Sequence, residues 1–499
     1  MSALEVGDLT ITIGGTTPVD SISFSVEPGE CVAIVGESGA GKSLTARALL
    51  GLTPSGSTVS ASVLTIDGVD ARGLDERTWR KLRGERIALV SQDALVSLDP
   101  LRTIGAEVAE PLAIHRRMTR AERRARVLEI LTAVSLPHPQ ERVSQYSHQL
   151  SGGLRQRALI ASALAVNPSV LIADEPTTAL DATVQARILD LLRQIAASGT
   201  AVVFISHDFA AVRRVADRVL VMQDGRVVES GTVGQVLHAP QHEHTRELIA
   251  ATVHEPRVVA VARTEPVVEA VAASKSFGST AAVSTASFTV RRGRTLGIVG
   301  ESGSGKTTLA RMIVGIQAPD SGELLRHGAR PVQLVHQNPL GAFDPRWTIG
   351  RSLDEALSAG GVPRRQRPGR MARLLAEVGL DPVLAGRRPS ALSGGQRQRA
   401  AIARALAAEP DVLVLDEPVS ALDPSVRERI LQLLRRLQED RGLTMVFVSH
   451  DLDVVLAVAD EVLVMQDGRI VEQGATAEVF SSPQHPFTRE LLAASARPE

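Results

Sequence analysis

Cysteine is almost absent from this chain of 499 residues: Cys31 stands alone. A single thiol can neither close an intramolecular disulfide nor build a multi-cysteine metal site, which fits a reducing compartment. Long apolar runs are missing too. No uncharged apolar stretch reaches the roughly 18 residues that a membrane span requires. The opening Met1-Ser-Ala-Leu-Glu-Val-Gly-Asp lacks the basic segment and apolar run of a secretory signal. Nor does one sign of charge prevail: 55 basic residues stand against 56 acidic ones, for a net charge of −1. That balance gives no electrostatic reason to expect nucleic acid as a partner. These absences lead us to expect a cytosolic protein, or one held at a membrane by partners.

What is present suits a packed interior. Hydrophobic residues make up 44% and charged residues 22%, close to the average of globular proteins, and the length implies two to four domains at about 100–200 residues each. The dominant feature is a repeat about half the chain long. Gly36-Glu37-Ser38-Gly39-Ala40-Gly41-Lys42-Ser43 returns as Gly300-Glu301-Ser302-Gly303-Ser304-Gly305-Lys306-Thr307. Leu150-Ser151-Gly152-Gly153 returns as Leu392-Ser393-Gly394-Gly395, Asp174-Glu175-Pro176 as Asp416-Glu417-Pro418, and Ser206-His207-Asp208 as Ser449-His450-Asp451. The tails Pro240-Gln-His-Glu-His-Thr-Arg-Glu-Leu248 and Pro483-Gln-His-Pro-Phe-Thr-Arg-Glu-Leu491 also match. Lys42 and Lys306 lie 264 positions apart, whereas Ser151 and Ser393 lie 242 apart and His207 and His450 lie 243 apart. The second copy is therefore about 20 residues shorter between Lys306 and Gln337. A period this long marks duplication of a whole domain, with domains expected at 1–251 and 267–499 and a joint at 252–266, an Ala/Val/Pro/Glu stretch without helical period.

Each half alternates short apolar runs with helical patterns, the sign of an α/β domain with a largely parallel sheet. Cys31–Val35, Val170–Ala173 and Ala201–Ile205 read as buried strands, with counterparts at Leu296–Val299, Val412–Leu415 and Thr444–Val448. Between Asp93 and Leu150, and between Asn338 and Leu392, the composition turns Arg-, Ala- and Glu-rich with helical spacing, which predicts an inserted helical subdomain in each half.

The chemistry-bearing segments follow from their surroundings. Gly-x-x-x-x-Gly-Lys-[Ser/Thr] after an apolar strand and before a helix is the phosphate-binding loop. Its glycines let backbone N–H groups curl towards a β-phosphate, and the helix N-terminus adds a field favourable to an anion. Lys42 and Lys306 are expected to reach the β- and γ-phosphates, and the hydroxyls of Ser43 and Thr307 to ligate Mg²⁺. Asp174 and Asp416 end apolar strands, where a carboxylate can hold Mg²⁺ through water while the following Glu175 or Glu417 orients or deprotonates the attacking water. Ser151 and Ser393 read as N-caps of the helices that follow, with Gly152, Gly153, Gly394 and Gly395 permitting close backbone approach. Two copies of Leu-Ser-Gly-Gly, each about 22 residues before an Asp-Glu pair, need more than capping; a serine, bare N–H groups and a helix dipole can be offered to a γ-phosphate bound elsewhere.

On these residues both halves resemble the ATPase domains of ABC transporters, over essentially the whole chain. The resemblance implies two tandem P-loop NTPase domains, each a parallel-sheet core with a small antiparallel β subdomain and an inserted helical subdomain. It implies ATP and Mg²⁺ as cofactors, and Gln92 and Gln337 as residues that sense Mg²⁺ and the γ-phosphate. His207 and His450 would contact the γ-phosphate, and Asp181 and Asp423 would communicate across an interface. Two composite sites follow: Lys42, Glu175 and His207 with Ser393, and Lys306, Glu417 and His450 with Ser151. The adenine-stacking aromatic would be Phe277 in the second half, where the first has Ile13, and the shortened stretch after Lys306 should trim the small antiparallel sheet.

Asp93-Ala-Leu-Val-Ser-Leu-Asp-Pro100, Asn338-Pro-Leu-Gly-Ala-Phe-Asp-Pro345 and the two tails resemble the importers of dipeptides, oligopeptides, nickel and glutathione. That implies two transmembrane permeases and an extracytoplasmic substrate-binding protein as partners, no nucleic acid, and a peripheral position on the cytoplasmic face of the inner membrane. The cysteine cluster found after the tail of many members is missing, so no iron–sulfur centre is expected. A fused sugar-importer ATPase or a soluble twin-domain ABC protein acting on ribosomes would share the layout. The former commonly has one degraded site and lacks these tails, and the latter usually carries a long charged linker.

Overall fold

The computed structural model describes residues 2–250 and 265–495, apart from positions 93, 179, 329, 421 and 423 and the side chains of 95 and 495. The expected joint at 252–266 falls almost wholly outside the described residues, and Asp423 is outside them too. The chain divides into two compact units, Met1–Leu180 with Val184–Thr252, and Val253–Glu499 with Asp181–Thr183.

In the first unit the core sheet runs in the order Arg226–Thr232, Arg218–Gln223, Cys31–Gly36, Ala201–Ile205, Val170–Asp174, Ile87–Val90. Every neighbouring pair is parallel except the outermost, Arg218–Gln223 with Arg226–Thr232. Strands covered on both faces read as unbroken apolar runs, and Cys31–Gly36 is buried at all six positions. Its alternate residues serve two cores: Cys31, Ala33 and Val35 face the helices, while Val32 and Ile34 face the antiparallel layer. The second unit repeats the sheet as Arg469–Ala475, Glu461–Gln466, Thr295–Gly300, Thr444–Val448, Val412–Asp416, Val332–Val335. The fold class is the one the sequence implies, and each buried strand read there lies within an observed strand.

The inserted segments are helical. Ile104–His115 starts at Thr103, whose side chain accepts from Ala106 N, and Arg120–Ala133 opens with a reciprocal Thr119–Glu122 capping box. Such caps satisfy N–H groups that have no partner inside the helix. Ile349–Ala359 and Arg367–Glu377 occupy the insert of the second unit. Among the described residues no helix is long and apolar enough to cross a membrane.

The missing 20 or so residues take a definite toll on the antiparallel layer. The first unit builds it from five strands, Leu4–Ile13, Thr16–Val26, Ser57–Ser60, Val63–Ile66 and Val69–Asp70, and follows them with helix Glu76–Leu82. Among the described residues the second has three, Pro266–Phe277, Thr280–Arg291 and Ser321–Arg326, with Val332–Val335 as the next element. One task of the lost segment is taken over by a neighbour. In the first unit Arg83, beyond helix Glu76–Leu82, donates to the carbonyls of Leu50 and Gly51 at the end of the helix that follows the phosphate loop. In the second, Arg326 donates to the carbonyls of Met312 and Ile313, near the end of the matching helix.

Candidate functional site

Each phosphate loop sits between a wholly buried strand and a helix. Gly36 and Gly300 are required there because a Cβ would stand 2.3 Å from the Met222 carbonyl oxygen and 2.2 Å from that of Met465. Gly41 and Gly305, at φ 97° and 99°, turn the chain into helices Lys42–Ala48 and Lys306–Val314. Lys42 is buried, and its Nζ donates to the carbonyls of Gly36 at 2.7 Å and Glu37 at 2.8 Å. Lys306 does the same with Gly300 and Glu301, both at 2.7 Å. Burial pushes the Lys306 ammonium below its ordinary pKa, against the charges of Glu417 and Asp416.

Beside each lysine a hydroxyl and a carboxylate meet. Ser43 Oγ donates to Asp174 Oδ1 at 3.0 Å, and Thr307 Oγ1 to Asp416 Oδ1 at 3.3 Å. Burial raises the pKa of both aspartates, and the neighbouring glutamate's charge adds to the rise. Hard oxygen donors in this pairing match the preference of Mg²⁺.

The glutamates lie one residue further, where the strand ends in a left-handed turn: Glu175 and Glu417 both have φ 47°. Their backbone N–H groups are held by Ile205 O and Val448 O, each at 2.9 Å. Gln92 Nε2 donates to Glu175 Oε2 at 2.9 Å, and His207 Nδ1 lies 3.3 Å from Oε1. Gln337 and His450 repeat these contacts on Glu417 at 2.8 and 3.3 Å. Burial pulls both glutamates upward, but the histidine beside each and the loop lysine's charge outweigh it, so both carboxyls sit below their ordinary pKa. They are ionised at neutral pH and able to accept a proton.

Lys, hydroxyl–Asp, Gln, Glu and His are thus gathered in each unit. Two matches of the ABC transporter family pattern fall on these segments, residues 19–178 and 283–420. The chain belongs to the ABC transporter family. As a member it binds ATP and is an ATPase. The pattern described as the C-terminal region of oligopeptide/dipeptide transporters matches residues 471–499. A peptidoglycan transport ATP-binding protein of Agrobacterium fabrum is 44% identical over 99% of this chain and 96% of its own length. A glutathione import ATP-binding protein of Escherichia coli K12 is 40% identical over 95% of this chain and 86% of its own. An archaeal ribosome recycling factor, solved with a ribosomal stalk protein, has a TM-score of 0.68 over 98% of this chain and 92% of its own, at 22% identity. At that identity the likeness speaks of the fold alone.

Ser151 and Ser393 head helices Gly152–Leu164 and Gly394–Leu406. Gly153 and Gly395 are held close to the next helix: a Cβ on either would meet Cγ1 of Val184 or Val426 at 2.2 and 2.4 Å. Ser393 caps its helix by accepting from Gln396 N, and Gln396 reaches back to Ser393 N. Ser151 stands at the N-cap but its hydroxyl makes no such bond, and Leu154, in the position of Gln396, has no side-chain acceptor for the Ser151 N–H. Phe277, at the end of its strand, is half exposed with Lys275 Nζ 6.0 Å from the ring centroid. Ile13, at the matching strand end, packs instead on the apolar core.

Two features were not read in the sequence. Thr178 Oγ1 donates to Glu175 Oε2 at 3.1 Å, three residues along the same turn. In each tail a carboxylate gathers the Pro-Gln-His turn: Glu229 accepts from the N–H groups of Gln241 and His242, and Glu472 from those of Gln484 and His485. An acidic residue 12 positions before each glutamine was the available signal.

Proposed function

We propose that this ATPase drives import of short peptides or peptide-bearing conjugates, working with two transmembrane permeases and an extracytoplasmic binding protein on the cytoplasmic face of the inner membrane. The observation that carries the proposal is the complete constellation in each unit, joined to a tail built alike in both and matched to oligopeptide/dipeptide transporters in the second. The relatives' cargoes, glutathione and peptidoglycan, both contain short peptides.

In this reading residues 36–43 and 300–307 hold the phosphates of ATP. Ser43, Asp174 and Gln92, and Thr307, Asp416 and Gln337, hold the accompanying Mg²⁺, which neutralises charge on the phosphates. Glu175 and Glu417 orient and deprotonate the attacking water, and His207 and His450 contact the γ-phosphate. Phe277 stacks on adenine in the second half. The domains 1–251 and 267–499, joined by 252–266, supply one composite site from Lys42, Glu175, His207 and the Ser393-Gly394-Gly395 segment. The other comes from Lys306, Glu417, His450 and Ser151-Gly152-Gly153. Asp181 and Asp423 communicate between the two.

One copy of the chain then completes both sites. Native mass spectrometry of the purified transporter should give one copy with two permeases. Two copies per transporter would overturn the reading, as would transport that persists when the chain is removed.

A further inference from the structure

The side chains around the two glutamates are not equivalent. Three hydroxyl or nitrogen groups face the Glu175 carboxylate: Gln92 Nε2, His207 Nδ1 and Thr178 Oγ1. Among the described residues two face Glu417, because Ser420, in the position of Thr178, turns its hydroxyl to the Glu417 backbone carbonyl at 3.2 Å. The methyl of threonine restricts its χ1, which favours a single direction for the hydroxyl, whereas serine is freer to bond within its own turn.

A second difference, in another part of the chain, points the same way. The Ser393 hydroxyl accepts from the backbone N–H of Gln396 while the Gln396 side chain holds the Ser393 N–H, so the serine's backbone and rotamer are both set and its proton is left to donate. Ser151 has no such restraint. In the crossed pairing proposed above, Ser393 serves the site of Glu175, and Ser151 that of Glu417.

We infer that Thr178 and Gln396 are positioning residues that make the Glu175 site the faster of the two, each fixing a group before the phosphate arrives. A group already held pays less ordering cost in the transition state. This rests on the residue roles proposed above, and the Gln396 part also on the crossed pairing.

The test uses the assembled transporter with Mg²⁺, vanadate and the photoreactive analogue 8-azido-ATP, reading the rate of vanadate-dependent trapping separately for peptides of each half. Label should enter the half carrying Lys42 several-fold faster. Thr178→Val should slow that half roughly threefold to tenfold without moving its half-saturating nucleotide concentration, and Thr178→Ser should slow it by a smaller factor, towards the rate of the other half. Gln396→Leu should slow the same half by a similar factor, Gln396→Glu should spare it, and Leu154→Gln should quicken the other half. Equal rates in the unmodified chain, or a first half indifferent to Thr178→Val, would overturn the inference. Gln396→Leu slowing the second half instead would overturn the crossed pairing while the Thr178 result stood.

Discussion

The two halves hold the same reactive groups at nearly the same distances yet differ in what surrounds them. Lysine, aspartate, glutamine, glutamate and histidine overlay contact for contact, down to the 3.3 Å approach of each histidine to its glutamate. The antiparallel layer, the strand-end residue that faces it and the serine cap all diverge. The lesson is that duplication has kept the groups proposed to meet phosphate and relaxed the groups that surround them.

The comparison breaks most sharply at the glutamates. Glu175→Gln with Glu417→Gln should keep ATP binding and lower turnover by about 10²–10⁴; near-normal turnover in the assembled transporter would remove both from the role of base. Next come the loop glycines. Gly36→Ala and Gly300→Ala each drive a methyl into a backbone carbonyl, so each should lower stability by about 1–3 kcal/mol and abolish nucleotide binding in its own half. Calorimetry and site-resolved ATP titration would show whether the halves suffer alike, as the matching 2.3 and 2.2 Å approaches require.

The tails offer a smaller and more symmetrical effect. Glu229→Ala or Glu472→Ala should each cost about 1 kcal/mol, discounted for partial solvation. Burial raises both carboxyls, but the backbone N–H groups outweigh it and leave each pKa lowered. The stabilisation is therefore complete above the unfolded value of about 4.3 and is lost as pH falls through the folded one. Chemical denaturation at neutral and acidic pH should show the two variants converging on the unmodified chain in acid.

The subtlest contrast lies at adenine. A half-exposed Phe277 can stack, worth about 0.5–1.5 kcal/mol, while Ile13 is turned to the core. The Lys306 site should bind ATP up to roughly tenfold more tightly, Phe277→Ala should weaken it, and Ile13→Tyr should strengthen the other. Titrations with Lys42 or Lys306 mutated in turn decide the matter; a tighter Lys42 site would show that other adenine contacts govern affinity.

Much of this was legible in the sequence because it depends on local pattern. Ala201–Ile205 and Thr444–Val448 were bounded to the residue by apolar runs alone, and the loop motifs carry their own turn chemistry. The shortened stretch after Lys306 foretold a smaller antiparallel layer. What escaped depends on side chains meeting across a turn or a space. Nothing in Ala-Asp-Glu-Pro-Thr-Thr reveals that Thr178 reaches a carboxylate while Ser420 does not. The Ser151 hydroxyl leaves the first N–H groups of its helix uncapped although serine is a favoured cap residue, and Leu154 offers no side-chain acceptor to complete a reciprocal box.

The left-handed backbone of Glu175 and Glu417 has one more consequence. A residue with a Cβ is uncomfortable at φ 47°, by about 1–2 kcal/mol, and glutamate lacks the short side chain that lets asparagine tolerate it. A chain shaped by endurance alone would carry glycine or asparagine at both positions and would melt several degrees higher. Inert variants with glycine or asparagine there should then be the more heat-resistant, and a search for sturdier versions that does not also demand turnover should drift towards dead ones.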